Sequence, residues 1–332
     1  MRLQSIRVAA IAVIVLASLP CTAATLRVPS EYSTINAALD ASASGDTVLV
    51  APGTYSDYET RILQGGGPFT ASSVAFLKGG VSLIGEGGRD ITRLDLAGQG
   101  EGRAVTVLAY GPGPGTILVQ GFTITGSPAE NAGLWSQYLD RMIVRDCRFE
   151  DLNGGSRDAG GIYSLSGELE VYGTEFRNCQ AGTGTFEQVA AIQHGEGDAR
   201  LEGCSFISCT GPGIVALSAA GVSPPFHAIV QGCEFRDNTG TAAAVGQFVT
   251  LTVEDCVFVG NAASAYAGLT VSGGGGGIVE PGPYIVRRNL FAQNTPRCMH
   301  WDRVSGSVEA NTFIDNGERA LTFSNEAQHE VS

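Results

Sequence analysis

An aliphatic residue, then Cys, Asn or Thr three positions later, then Phe two beyond that and a polar or small residue after another three: this pattern occurs seven times along the chain. The copies read VRDCRFEDL, VYGTEFRNC, LEGCSFISC, VQGCEFRDN, VEDCVFVGN, VRRNLFAQN and VEANTFIDN. In each, two apolar positions must face a core, and the polar or small residues between them break the period-two alternation of a single strand. That break predicts a corner. A second short apolar run precedes each copy, seen in GLWSQ, GIYSL, AAIQH, GIVAL, AAVGQ, GGIVE, CMHWD and ALTFS. Three short strands per turn, with corners rich in Gly and Asn, predict an all-β coil of stacked rungs. The repeated rings are Phe149, Phe176, Phe206, Phe235, Phe258, Phe291 and Phe313, separated by 27, 30, 29, 23, 33 and 22 residues. Corners of variable length explain such a wandering period, and the signatures of leucine-rich repeats and propeller blades are absent.

With these copies in hand, residues 25 to 332 resemble the right-handed parallel β-helix repeat family, the architecture of pectate lyases and related polysaccharide enzymes. The N-terminal run VPSEYSTINAALDASASGDTVLVAPGTY strengthens the resemblance, because such families open with a short helix and a strand ending in PGTY. Within it, Ile35, Ala38, Leu39 and Ser42 fall on one helical face, with Gly45 placed to end the helix. A helix with one apolar face suits the role of a lid on a stacked core. VSLIGEGG reads as the next rung, with Gly85 at its corner. The expected organisation is a leader over 1–24, a capping segment over 25–46 and the coil over 47–332. Val286, Val308 and Val331 hold one repeat position, so the last copy stops before its Asn and Phe, and the chain is expected to be a fragment of a longer protein.

Composition then narrows the setting. Glycine contributes 46 of 332 residues and charged residues only 16%, as corners and a large buried surface require. Arg2 and Arg7 precede VAAIAVIVLASL, and Thr22, Ala23 and Ala24 offer a small-residue cleavage site, which together predict export. Pro20 ahead of Cys21 argues against a lipid anchor, so the product is expected to be secreted, periplasmic or at the cell surface. No later run is apolar enough to span a membrane. Removing Arg2 and Arg7 takes the net charge from −13 to −15, which excludes a nucleic-acid partner. Lys78 is the only lysine, so a lysine base has one candidate.

The repeat also assigns the cysteines. Cys147, Thr174, Cys204, Cys233, Cys256, Asn289 and Asn311 share one column, and Leu152, Cys179, Cys209, Asn238, Asn261, Asn294 and Asn316 share another. Neighbouring rungs lie about 4.8 Å apart, so each column is a stack along the axis. Asn suits a corner because it tolerates left-handed backbone angles and bonds the amides above and below. No CxxC pair exists, which argues against zinc. A packed thiol ladder and disulfides between stacked positions remain as two readings, with seven cysteines after the leader leaving one unpaired.

Function is looked for on the outward positions of the strand preceding each copy. Aligning those strands puts Trp135, Tyr163, Gln193, Val215, Gly246, Val279, His300 and Thr322 in one column. Trp135 and Tyr163, with Gln193 beside them and Tyr138 near in sequence, form a candidate sugar platform; the plainer reading packs these rings under loops. Candidate acids and bases are Asp151 and Asp158 in EDLNGGSRDAGG, and His194, Glu196 and Asp198 in QHGEGDA. Family motifs do not transfer: His194 lies in QHG and not GHG, no RIK occurs, Arg157 beside Asp158 is the nearest approach to a lyase-like base, and QD and GRPW are absent. The expectation is an exported β-helix presenting an elongated polysaccharide-binding or adhesive surface. The alternative is a divergent polysaccharide lyase, glycoside hydrolase or epimerase. No cofactor or metal is expected, except calcium if the ligand is a polyuronate, because an acidic protein otherwise repels it.

Overall fold

The computed structural model describes residues 23–64, 68–96, 103–110, 115–126, 132–154, 159–182, 189–217, 226–245, 249–272, 283–302, 304–324 and 329–331. Each rung contributes one strand to each of three long parallel sheets of 12, 10 and 10 strands. The first runs from Thr25–Val28 to His329–Val331, the second from Gly53–Tyr55 to Thr312–Ile314, and the third from Ala75–Leu77 to Arg319–Ser324. A representative rung passes from Arg141–Arg145 in the first sheet to Arg148–Glu150 in the second, and the next from Glu168–Tyr172 through Glu175–Arg177, with Ile162–Ser166 of the third sheet between them.

The Phe pattern builds the core as expected. Phe149, Phe176, Phe206, Phe235, Phe258, Phe291 and Phe313 pair in register, and successive rings stack with centroids 4.6 to 5.2 Å apart. All but Phe313 are fully buried. Burying one aromatic ring per rung gives every rung its own stabilisation and ties it to its two neighbours.

The two corner columns form hydrogen-bonded ladders. Asn261 Nδ2 donates to Phe235 O at 3.0 Å and to Asn294 Oδ1 at 2.9 Å, while its own Oδ1 accepts from Asn238 N and Nδ2 at 3.1 and 2.9 Å. Cysteine reproduces the donor half of this role: Cys209 Sγ lies 3.6 Å from Phe176 O and Cys204 Sγ 3.3 Å from Val171 O, each on the preceding rung. All seven cysteines among the described residues are buried and unbridged, which is the thiol ladder rather than disulfides. The left-handed backbone, however, belongs to the residue before each column. Asp146, Gly173, Gly203, Gly232, Asp255, Arg288 and Ala310 have φ between 51° and 62°, and this tight turn points the following Cys, Thr or Asn inward.

The helix spans Ile35–Ala41, capped by Thr34, whose Oγ1 accepts from Ala37 N at 3.1 Å. Ile35, Ala38 and Leu39 are buried against the first rungs, as the spacing implies. Ser42, and not Gly45, closes it, with Ser42 N bonded to Ala38 O. Asn36 fixes its outer edge by donating to Ser73 O and accepting from Phe76 N. Those partners border an element absent from the repeat, an antiparallel hairpin of Glu59–Gln64 and Pro68–Ser73. Arg61 clamps the hairpin to the cap through Asp40 at 2.9 and 2.8 Å and lies 4.6 Å over the Phe76 ring. Residues 1–22 of the expected leader over 1–24, and the repeat copy's close at Ser332, lie outside the described residues. No helix among the described residues is long and apolar enough to cross a membrane.

Candidate functional site

The outward faces of the three sheets differ in chemistry. The first and second are laced with ion pairs that satisfy themselves, among them Arg148 with Glu175 at 3.1 Å and Arg287 with Glu254 at 2.7 Å. Such a face is solvated and offers little unmet bonding capacity. The third sheet instead presents aromatic and hydroxyl groups. Its register runs Leu108, Trp135, Tyr163, Gln193, Ala216, Ala244, Thr270, His300, Thr322. The expected neighbours Trp135, Tyr163 and Gln193 are confirmed as such, and so are His300 and Thr322. Val215 is not in this column: it pairs with Ile192 inside the coil, because irregularities at Val189 to Ile192 and Thr210 to Gly213 shift the alignment by one residue. A one-residue slip exchanges the two faces of a strand. Gly246 and Val279 lie outside the described residues, and the strand that fills the rung of Val279 is Leu269–Ser272.

Trp135 is only 2% exposed. Tyr110 stacks on one side of it at 5.9 Å, Tyr163 on the other at 6.4 Å, and Phe69 of the hairpin meets it edge-on at 6.2 Å. The ring is therefore packed beneath an insertion, and what reaches solvent from this cluster is Phe69, Tyr110 and Tyr163, each half-buried, and Tyr138, 48% exposed. Gln193 beside Tyr163 is half-buried.

The candidate acids fall on two different corners. Asp151 lies between the second and third sheets, where it accepts from Asn178 Nδ2 at 3.1 Å. Asp158 lies outside the described residues. Glu196 and Asp198 come together at the opposite corner, between the third and first sheets, in an open groove of about 600 Å³ that crosses four successive rungs. Its walls are Asp140, Ser166, Glu168, Glu196, Asp198, Phe226 and His227. Asp198 Oδ1 accepts from His227 N at 2.9 Å and Ser166 Oγ from Tyr138 N at 3.3 Å, so the exposed aromatic borders the groove. His194 lies beneath this floor, pointing into the coil, 1% exposed, with Nε2–H donating to Gly197 O at 3.1 Å. Burial pushes it down to about 4, so it is neutral at ordinary pH.

Asp140, Glu168 and His227 were not visible as site residues in the sequence. A signal existed: each stands at the start of a first-sheet strand, Glu168 and His227 one residue and Asp140 two residues before that strand's first buried apolar residue, and Glu168, Asp198 and His227 occupy equivalent positions in consecutive copies. Among the described residues no group of three or more His, Cys, Asp or Glu could hold a metal ion.

A family model described as a right-handed beta helix region matches residues 112–291. No curated protein matches the chain. Similar solved structures include the tailspike protein gp49 of Acinetobacter baumannii bacteriophage Fri1, a capsular polysaccharide depolymerase, at 11% identity over 86% of this chain and 54% of that one, with a TM-score of 0.35. The chain thus spans about half of the tailspike's length. An alginate lyase from Paenibacillus sp. str. FPU-7 aligns at 10% identity over 92% of this chain and 99% of that one, with a TM-score of 0.35. The mannuronan C-5 epimerase AlgE4 A-module of Azotobacter vinelandii aligns at 12% identity over 90% and 94%, with a TM-score of 0.33. At these identities no site residue is carried over to this chain.

Proposed function

The chain belongs to the right-handed β-helix family, and we propose that it is an exported protein whose third sheet, with the groove along its corner, binds a polysaccharide. The observation that carries this reading is the groove itself: an open channel across four rungs, walled by carboxylates, a hydroxyl and Phe226, with Tyr138 exposed at its border. Carboxylates accept hydrogen bonds from sugar hydroxyls, and an exposed ring covers the apolar face of a pyranose. Repetition of the rungs at about 4.8 Å lets an extended chain make like contacts at successive steps. Export follows from the leader read in residues 1–24.

Catalysis is the second reading, and one observation favours it: Glu196 and Asp198 line the same groove, where a pair of carboxylates serves as acid and base. Incubating the protein with a panel of neutral, amino and uronic polysaccharides, with and without calcium, separates the two. Retention without new chain ends supports binding. New reducing or unsaturated ends would make the protein an enzyme. Retention of none of the panel would overturn the glycan reading.

A further inference from the structure

Two rungs of the third sheet near Arg319–Ser324 carry reactive groups that the groove does not use. His300 and Asp302 lie on the outward side of strand Arg297–Asp302, since Met299 and Trp301 between and beside them are fully buried. The register sets Ser324 of the next strand beside Asp302 and Thr322 beside His300. His300 Nε2 lies 3.0 Å from Ser324 Oγ, and Ser324 Oγ–H donates to Asp302 Oδ1 at 3.0 Å. Tyr266 lies flat on the imidazole, with centroids 4.0 Å apart and planes 4° from parallel, so the base is held in orientation by a ring. Arg297 brings a positive charge into the same cluster, its guanidinium carbon 5.7 Å from the Tyr266 ring. Tyr266, His300, Asp302 and Ser324 are all half-buried, packed yet reachable from solvent.

Nothing in the coil calls for this set. Outward positions of a strand are served by any β-branched or aromatic residue, as Thr270 and Thr322 on either side of His300 illustrate. A hydroxyl held within hydrogen-bond reach of an imidazole is the geometric mark of an activated nucleophile. We propose that Ser324 and His300 are a nucleophile and general base that hydrolyse small acyl esters, with Asp302 holding the serine hydroxyl between turnovers.

At rest the Ser324 proton points to Asp302 and Nε2–H donates to Oγ; for reaction the imidazole carries its proton on Nδ1 and the hydroxyl turns from Asp302 to the Nε2 lone pair. Oγ forms a bond to the acyl carbon as its proton passes to Nε2. The ester C–O bond then breaks, and the departing alkoxide takes that proton from the imidazolium. Water attacks the acyl-serine, gives its proton to Nε2, and Oγ recovers the proton as the carboxylic acid leaves. The sum is ester and water giving acid and alcohol, with no other reactant. If the corner groove holds a polysaccharide, an O-acyl group on that chain is the natural ester; this extension rests on the glycan reading, whereas the ester chemistry does not.

The groups facing His300 are Tyr266 over the ring, Thr270 and Ser272 on the preceding strand, Thr322 and Ser324 on the following one, and Arg297 and Asp302 on its own. Burial of the ring disfavours its charged form more than Asp302 favours it, and Arg297 adds to the disfavour, so the net displacement is downward. The free base is then present at neutral pH, and turnover should rise with pH through a midpoint below the ordinary histidine value.

The test uses the whole chain and two probes, a fluorophosphonate and para-nitrophenyl acetate. Peptide mapping should place one phosphonyl group on Ser324. Ser324→Ala should remove both labelling and turnover, and His300→Gln should slow both by about 10²- to 10⁴-fold with the far-UV circular dichroism retained. Arg236→Gln, at an exposed position of the second sheet away from both sites, should leave turnover unchanged. Absence of label on Ser324 in the folded wild-type protein would overturn the proposal, and so would unchanged ester turnover in a folded Ser324→Ala variant. The wild-type label decides the matter even if the alanine variant fails to fold. Because neither probe is a sugar, failure here leaves the polysaccharide panel result standing, and the reverse holds as well.

Discussion

Replacing Asn261 by Ala, by Leu and by Cys asks what the corner ladder contributes. Asn261 is fully buried and makes four side-chain hydrogen bonds, to Phe235 O, Asn294 Oδ1, Asn238 N and Asn238 Nδ2. Not all four partners are orphaned by its loss. Asn294 Oδ1 still accepts from Asn261 N, and Asn238 Nδ2 still donates to Phe206 O. The backbone N–H of Asn238 is left without an acceptor, at about 1–3 kcal/mol, and the other lost bonds contribute about 1 kcal/mol each. Asn261→Ala should therefore destabilise by roughly 4–6 kcal/mol. Asn261→Leu fills the space but leaves the same groups unmet, so it should cost about as much. Cysteine can donate to Phe235 O as Cys209 does to Phe176 O, and can accept from Asn238 N as Cys256 Sγ does from Cys233 N at 3.4 Å. Asn261→Cys should accordingly cost about half as much or less, in line with the weaker bonds of sulfur. Urea unfolding gives the ordering, and hydrogen exchange at the Asn238 amide gives the local effect, which matters because a coil of stacked rungs can open in parts. A cysteine variant no more stable than the leucine variant would refute the idea that the thiols stand in for asparagine as ladder rungs.

Three further outcomes follow from the same structure. Phe235 lies between Phe206 at 4.6 Å and Phe258 at 4.7 Å, so Phe235→Ala should cost about 3–5 kcal/mol in denaturant, whereas Phe313→Ala, at a partly exposed ring, should cost clearly less; equal costs would contradict a continuous buried stack. Burial pushes the Cys147 thiol up to about 12, and all seven described thiols are buried, so iodoacetamide should label them slowly in the native protein and quickly after unfolding, with an intact mass showing no bridges. His194 is depressed in the fold from the ordinary 6.5 to about 4 by burial, so between those values the unfolded chain binds the proton first: stability present at pH 7 should fall by about 3 kcal/mol as pH drops from about 6.5 to 4, and His194→Gln, which still donates to Gly197 O, should flatten that window relative to wild type.

Much of the coil was legible because each rung must bury the same two positions, and the Phe and Asn/Cys columns repeat at every turn. The left-handed residue was misplaced by one because Gly, Asp, Arg and Ala all occupy it, so no single residue type announces it. The third sheet was harder. Its strands lack an invariant ring, and the irregularities beside Ile192 and Gly213 move Val215 from the outward column to the core. The burial of Trp135 could not be read locally, since the ring that covers it, Phe69, lies 66 residues earlier in a hairpin outside the repeat. Glu196 and Asp198 were recoverable as a pair from their closeness in sequence. Asp140, Glu168 and His227 join them only through the stacking of four rungs.

The central claim is that a polysaccharide lies in the corner groove, and it is tested most directly by mapping amide and side-chain chemical shifts while titrating the oligosaccharide retained most strongly from the panel. Shifts should cluster at Tyr138, Ser166, Glu196, Asp198 and His227 and along the neighbouring third-sheet positions Tyr163 and Gln193, and Glu196→Gln with Tyr138→Ala should abolish them without loss of fold. Shifts confined to the ion-paired outer faces around Arg148 and Glu175 or Arg287 and Glu254, with none in the groove, would contradict it.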